Sequence, residues 1–462
     1  MRAISLVDRL EFDFSGNILR KGLTLGDVDN DGVSELVVGG ETGNVSVFKG
    51  AKKYAMLTGL SFVSCVCVGD IFNVGKNCLV VITADGWCYV YCVLVTYVSV
   101  ECEADDEGSD QVDGQIFSSE SVESERSNDS AVHSAQEKER VELKRLHSQR
   151  IPANTKDVLL ADINGDGLLE LVVGLTDRVV RSYRWVADEN SAADGFDNVS
   201  GKLVCLNKWE CAKQIGSITL HHSPEGVPSL LVAQPGGTFM RIVCHLEDSS
   251  QSLENTGEHS DSGSSRTESL VGSRIDYQFL GISRARNQNI STEIVGDLIQ
   301  RRSPESTKKG RPYSVATLDG TIMLVHDDII TWSIAVDHQI FSLHKMDVTG
   351  DGCDNIIACS WDGQTYILDQ DKNVVKFQLE ESVQSFDCGY YNLHGGVNST
   401  CFVYATFHNK IYLYYDIPLT KMTCKRFEPD LSILKDLVNA EDLDQKSKNE
   451  LVEYLLYGVK NV

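Results

Sequence analysis

Basic residues are scarce in this chain. In 462 residues, 42 Lys and Arg stand against 67 Asp and Glu, a formal net charge of −25 at pH 7. A field of that sign repels polyphosphate and acidic lipid, which excludes a general nucleic-acid binder and disfavours anionic membranes. Proline is rarer, with 8 in the chain, and with 37 glycines the composition rules out a collagen-like or proline-rich rod. The 14 cysteines nowhere form C-x-x-C, and no Cys/His pairing has zinc spacing, so no zinc site is expected. Long apolar runs are missing too. The most apolar stretch, WCYVYCVLVTYVSV from Trp87 to Val100, is too short to cross a bilayer as a helix and is rich in β-formers. Charged residues interrupt the opening MRAISLVDRLEFDF, so no secretory signal is read. The thiols are then expected to be reduced and cytosolic, and the sequons Asn44-Val-Ser and Asn398-Ser-Thr to be chance matches.

What is present is a large apolar fraction, 42%, rich in strand-forming residues, and an internal repeat. Residues 26–49 (GDVDNDGVSELVVGGETGNVSVFK), 161–185 (ADINGDGLLELVVGLTDRVVRSYRW) and 346–369 (MDVTGDGCDNIIACSWDGQTYILD) each read as an acidic turn, an apolar run, a second turn and an alternating run. Weaker copies begin at Val68, Ser217, Val295 and Ser385. Seven units of roughly 50 residues remain once two insertions and a tail are set aside, the size of a four-stranded propeller blade. The expectation is an all-β, seven-bladed β-propeller over residues 1–420, with the apolar and alternating runs as the first two strands of each blade. Residues 3–14, where Leu10, Phe12 and Phe14 alternate, are placed to supply a missing strand to the last blade and close the ring.

Two tracts, about 101–148 and 246–275, are dense in Ser, Asp and Glu and almost free of apolar residues, and are expected to be disordered insertions. Residues 421–462 read as a helical tail. Asp430 would cap a first helix bearing Ile433, Leu434, Leu437 and Val438, and Asn439 a second bearing Leu451, Val452 and Leu455.

The acidic turns carry the chemistry. Asp27, Asp29, Asp31 and Glu35 fall at positions 1, 3, 5 and 9 of a loop with Gly32 at position 6, and Asp162, Asn164, Asp166 and Glu170 repeat the pattern around Gly167. Alternate side chains in a tight loop converge, and hard cations want six to eight oxygens, so the spacing suits structural Ca²⁺ or Mg²⁺. An EF-hand is rejected, because position 12 is Val38 or Val173 within a strand. Asp347 and Asp351 form a weaker copy, with Thr349 at position 3 and Asn355 at position 9. The competing reading is that the first Asp of each loop only satisfies turn backbone, and it is preferred at Asp70 and Asp297, which keep just that residue. In the first loop four unneutralised carboxylates would crowd together, so a cation is expected there and in the third unit, as a brace rather than a catalyst.

A loop of this kind between two strands resembles the FG-GAP repeat of integrin-α-type propellers, although LVVGGE and LVVGLT stand where the Gly-Ala-Pro element would be. No phosphate loop, nucleophile elbow or nucleotide fingerprint appears, and His221, His222 and His338 read as core or turn histidines. The strings IPANTK, ELVVGLTDRVVRSYRW, VDHQIFSLHKMDVTGDG, WDGQTYILD and YATFHNKIYLYYD are similar to the family of integrin-α FG-GAP repeat-containing protein 2. That resemblance implies a non-catalytic scaffold in the KICSTOR complex, without organic cofactor, partnered by kaptin, the large seizure-threshold scaffold and the small KICSTOR subunit. It further implies a cytoplasmic protein, peripheral at the lysosome, that helps recruit the GATOR GTPase-activating complex and restrains target-of-rapamycin signalling when amino acids are short. The alternative is a calcium-bearing propeller hydrolase or lyase, which would need acidic or His side chains gathered at the central channel, and the sequence displays no such cluster. An integrin-like ectodomain is disfavoured by the lack of a visible signal or membrane span.

Overall fold

The computed structural model describes residues 2–100, 136–188, 196, 199–244, 273–280, 289–300, 310–393, 397–424 and 444–457. Seven sheets follow one another along the chain, six of four antiparallel strands and one of four with a parallel fifth, and together they are a seven-bladed β-propeller. The first blade is Leu23–Gly26, Glu35–Gly39, Val45–Lys49 and Lys52–Leu57, ordered from the axis outward, and the others repeat it. Their inner strands are Val63–Gly69, Thr155–Ala161, Ile218–His222, Thr292–Val295, Ile340–Met346 and Val383–Tyr391. Each inner strand touches the next, and the seventh touches the first.

Burial across a blade explains the hydrophobic pattern. The second strands, such as Glu35–Gly39, Cys78–Thr83 and Asn355–Ser360, are buried on both faces because a neighbouring blade covers each side. They therefore read as continuous apolar runs. The outer strands Ser273–Phe279 and Ile329–Ala335 are mostly exposed. This corrects the strand count. The apolar run is the second strand of each blade and the alternating run the third, since the acidic turn joins the inner strand to the second. Several inner strands are short or interrupted by charge, which hides them from a search for apolar periodicity.

Closure follows the expected route. Arg9–Asp13 pairs antiparallel with Lys410–Tyr415, with Phe12 opposite Ile411, and becomes the outer strand of the seventh blade. Arg2–Ala3 adds a parallel fifth strand to the sixth blade, beside Val374–Gln378.

Both insertions are shorter than expected. Gln136–Arg150 pairs with Trp87–Val100 in a long hairpin, and Ser273–Phe279 pairs with Thr238–Cys244, so 136–148 and 273–275 belong to strands. These are outer strands, and their polar composition conceals them. The remainder of both tracts lies outside the described residues. The chain divides into two compact units, Met1–Thr420 and Lys421–Val462. In the second, a helix runs from Gln445 to Tyr457, and Asp444 accepts from Ser447 N at 3.0 Å. Asp444 is thus the cap, not Asn439, which lies with the expected first helix outside the described residues.

Candidate functional site: the acidic loops and the central channel

The acidic loops are built alike. At position 1, Asp27 accepts from Asp31 N and Gly32 N at 3.1 and 3.0 Å; Asp162 accepts from Gly165 N and Gly167 N at 2.7 and 2.8 Å; Asp347 accepts from Gly350 N and Gly352 N, both at 2.7 Å. Gly32, Gly167 and Gly352 have φ of +88°, +84° and +80°, which is why position 6 is glycine. The position-1 carboxylate therefore satisfies the turn, as it does at Asp70, which accepts from Val74 N and Gly75 N at 3.0 and 2.5 Å. Asp297 differs. It accepts from His222 N at 2.7 Å and pairs with the rings of His221 and His222 in the adjacent blade. Burial would raise its carboxyl, but the hydrogen bonds from His221 and His222 hold it well below the usual range.

Position 9 closes each loop from the second strand. Glu35 accepts from Val28 N at 2.9 Å, Glu170 from Ile163 N at 3.1 Å, and Asn355 from Val348 N at 2.9 Å. The loops also tie blade to blade. Asn30 and Asn77 exchange hydrogen bonds between the first and second blades, Asn73 clasps Leu169 between the second and third, and the Asn398 side chain joins the seventh to Ser34 of the first.

Carboxylate oxygens converge most closely in the first blade. Asp27, Asp29 and Glu35 place ligand atoms within 4.8 Å of one another, and this is the one such acidic trio among the described residues. Lys49 reaches two of the three, and Asp31 beside them. Its Nζ is 2.5 Å from Asp29, 2.6 Å from Asp31 and 3.0 Å from Glu35. This donor set suits a cation, and the Lys49 ammonium is one that lies against it. Burial pushes the Glu35 carboxyl up to about 7, against the pull of Val28 N–H and Lys49. Burial also opposes the Lys49 charge, but the hydrogen bonds it donates to Asp29, Asp31 and Glu35 hold its proton above the usual range. In the third blade, Arg184 reaches Asp166 at 2.7 Å and grips Glu170, while Asn164 bonds within the turn to Asp166 at 3.2 Å. In the sixth, Asp351 accepts from Cys353 N at 3.0 Å and Asp347 from backbone alone among its N–H donors. Lys49 and Arg184 were not read as site residues from the sequence. The signal was there: each lies fourteen residues beyond the position-9 glutamate.

A second constellation lies at the axis, around a cavity of about 310 Å³ lined by Arg20, Lys21, Glu293, Ser342, His344 and Asp387 among others. The sequence displayed no cluster of acidic and His side chains at the channel; the fold assembles one from separate blades. Arg20 of the first blade pairs with Glu293 of the fifth and donates to Phe341 O of the sixth at 3.2 Å. Lys21 turns the other way, 3.2 Å from Asp157 of the third. Asp157 also accepts from Ile218 N of the fourth at 2.6 Å. β-Bulges precede Cys65, Asp157, Ser342 and Ser385 on four inner strands, an irregularity that re-aims side chains.

Ser342 Oγ lies 2.8 Å from His344 Nε2, and His344 Nδ1 lies 3.2 Å from Asp387. The row has the order of a nucleophilic triad but not its electronics. Burial and the charges of Lys21 and Arg20 push His344 down to about 3, so it is a weak base, and Ser342 is 2% exposed. Burial raises Asp387 to about 6.

The row has a pH consequence. His344 is charged in the unfolded chain below its ordinary value of 6.5 but stays neutral in the fold down to about 3, so its contribution to stability is complete above 6.5 and is lost as pH falls. Asp387 acts oppositely, favouring the fold as pH falls through about 6. Replacing His344 by Gln should therefore remove about 1 kcal/mol of the stability lost between about pH 7.5 and about pH 5.5, as measured by urea unfolding. An unchanged pH dependence would show that the imidazole titrates freely.

Comparison with known proteins agrees with this architecture. The family model of integrin-alpha FG-GAP repeat-containing protein 2 matches residues 49–419. A mouse protein named KICSTOR complex protein ITFG2 is 38% identical over 91% of this chain and 87% of its own length, and a bovine protein of the same name is 36% identical over 91% and 73%. Among solved structures, BBS1N in complex with ARL6DN has a chain that superposes with a TM-score of 0.53 at 13% identity, over 91% of this chain and 99% of that one, a likeness of fold alone. With a family match that starts in the first blade and ends beyond the last strand of the seventh, this chain belongs to the integrin-alpha FG-GAP repeat-containing protein 2 family.

Proposed function

We propose that this chain is a non-catalytic scaffold subunit of a KICSTOR complex. The observation that carries the reading is the extent of the likeness: relatives named as KICSTOR complex proteins match 91% of the chain, and so the ring as a whole. The geometry supports it. Ion pairs bridge the channel, the acidic loops are consumed in bracing one blade against the next, and the rim and connecting loops are left for other subunits. Kaptin, the seizure-threshold scaffold and the small KICSTOR subunit are the expected partners. Through them the complex would bring GATOR to the lysosomal surface and restrain target-of-rapamycin signalling during amino-acid shortage. On this reading the protein is cytoplasmic and held peripherally at the membrane through its complex. Among the described residues no helix is long and apolar enough to cross a bilayer.

The test is affinity purification of the tagged protein from its own cells, with salt-stable partners identified by mass spectrometry. Stoichiometric recovery of the three subunits is expected. A monomer with no stoichiometric partner would overturn the reading and favour the calcium-bearing hydrolase or lyase. Screening the purified protein for hydrolase activity with and without Ca²⁺ would then test that alternative.

A further inference from the structure

We propose that Lys49 and Arg184 are tethered cations that hold the metal position of the first and third blades, so that these loops keep the shape of calcium loops without taking calcium. Three observations meet here. The first is position. An ammonium nitrogen 2.5 to 3.0 Å from Asp29, Asp31 and Glu35 holds three of the loop's four carboxylates at distances close to the roughly 2.3–2.6 Å that Ca²⁺ would take, while the fourth, Asp27, is taken up by Asp31 N and Gly32 N. Both cannot be there, because two charges so close and so little solvated repel strongly.

The second is register. Leu36 pairs with Phe48, so Glu35 faces Lys49 across the second and third strands. Leu171 pairs with Tyr183, which sets Glu170 against Arg184 in the same way. The same device thus occurs twice, at equivalent points of two blades and with different side chains.

The third is charge. The cation appears where position 9 is a glutamate, and both glutamates are fully buried, at 0% exposure. In the sixth blade, Ile356 pairs with Leu368, which sets the neutral Asn355 against Asp369. Asp369 turns to its own loop, accepting from Asn373 N and Asn373 Nδ2, both at 2.7 Å. Where the buried carboxylate is gone, the facing cation is gone too. A buried carboxylate needs a countercharge, and a side chain on the adjacent strand supplies it permanently, without depending on the free Ca²⁺ concentration. Removing the ammonium should reopen the site. Asp29 Oδ1 already lacks a hydrogen-bond partner, and Glu35 Oε1 has no contact but its ion pair.

The experiment is thermal unfolding of the full chain in chelator, in millimolar Ca²⁺ and in millimolar Mg²⁺, with the metal content of the purified protein measured alongside. The wild type should carry no stoichiometric Ca²⁺ and melt at one temperature in all three media. Lys49→Met should melt lower in chelator by about 3 °C or more and regain most of that loss in Ca²⁺. Lys49→Arg keeps the charge and should stay insensitive to Ca²⁺. A wild type that binds Ca²⁺ or is stabilised by it overturns the proposal, as does a Lys49→Met protein whose loss Ca²⁺ leaves unrepaired. Should Lys49→Met fail to fold, the wild-type and Lys49→Arg measurements decide the matter in the same way.

Discussion

A chain lacking residues 1–14 should not form a stable ring. Among the described strands of the seventh blade, Arg9–Asp13 alone comes from the other end of the chain: its ladder to Lys410–Tyr415 joins the two ends of the propeller. Deletion would expose the edge of Lys410–Tyr415, an unpaired and largely apolar strand, and unpaired edges of that kind aggregate. It would also strip Phe12 and Phe14 from a core they share with Ile18, Leu36, Phe48, Ile411 and Leu413. Phe12 packs on Phe48 with ring centroids 4.4 Å apart, so its loss opens the seam between the seventh and first blades. Phe12→Ala alone should cost about 3–5 kcal/mol, the range for a buried phenylalanine. The deletion should cost more and leave aggregated material in place of a monomer by size-exclusion chromatography. A truncated protein that runs as a monomer and melts with the full chain would show that the ring closes without this strand.

The sequence revealed closure, the seven units and the acidic turns because each depends on local pattern. Leu10, Phe12 and Phe14 alternate, and the D-x-[DN]-x-[DN]-G spacing is fixed by one tight loop. The inner strands were harder to see. Thr155–Ala161 holds Lys156 and Asp157, charges that deny it an apolar signature, and they tie the third blade to its neighbours through Ile215 O, Ile218 N and Lys21. Which charges meet across the axis cannot be read from local pattern at all: Arg20 and Glu293 are far apart in the chain, and only the closed ring brings them together. The partners of the acidic loops lie between these extremes. Lys49 and Arg184 are local, one hairpin away from the glutamates they face, yet a search for oxygen ligands passes over them because they are cations. Ligand spacing describes a cage and says nothing about what fills it; cross-strand register does.

The channel network should be as sensitive to mutation as the seam. Asp157 has no exposed surface, and its two oxygens accept from Val158 N at 3.0 Å and Ile218 N at 2.6 Å, with Lys21 Nζ 3.2 Å away. One side chain thus links the first, third and fourth blades. Asp157→Leu would leave Ile218 N–H without an acceptor and Lys21 without its carboxylate, and breaking a buried pair from one side costs about 3–5 kcal/mol. Lys21 keeps some solvent, with 30% of its side chain exposed, which places the expected loss near about 3 kcal/mol. The second half of the cycle separates charge from packing. If the loss comes from a stranded ammonium, adding Lys21→Met to Asp157→Leu should recover part of the stability, because two apolar side chains need no countercharge. Lys21→Met alone should be destabilising as well, since it leaves Asp157 fully buried with only backbone donors. Urea unfolding of the three variants reads the coupling directly. A double variant no better than the sum of the singles would mean that Lys21 and Asp157 act independently, and that the axis is held by backbone contacts between inner strands rather than by its charges.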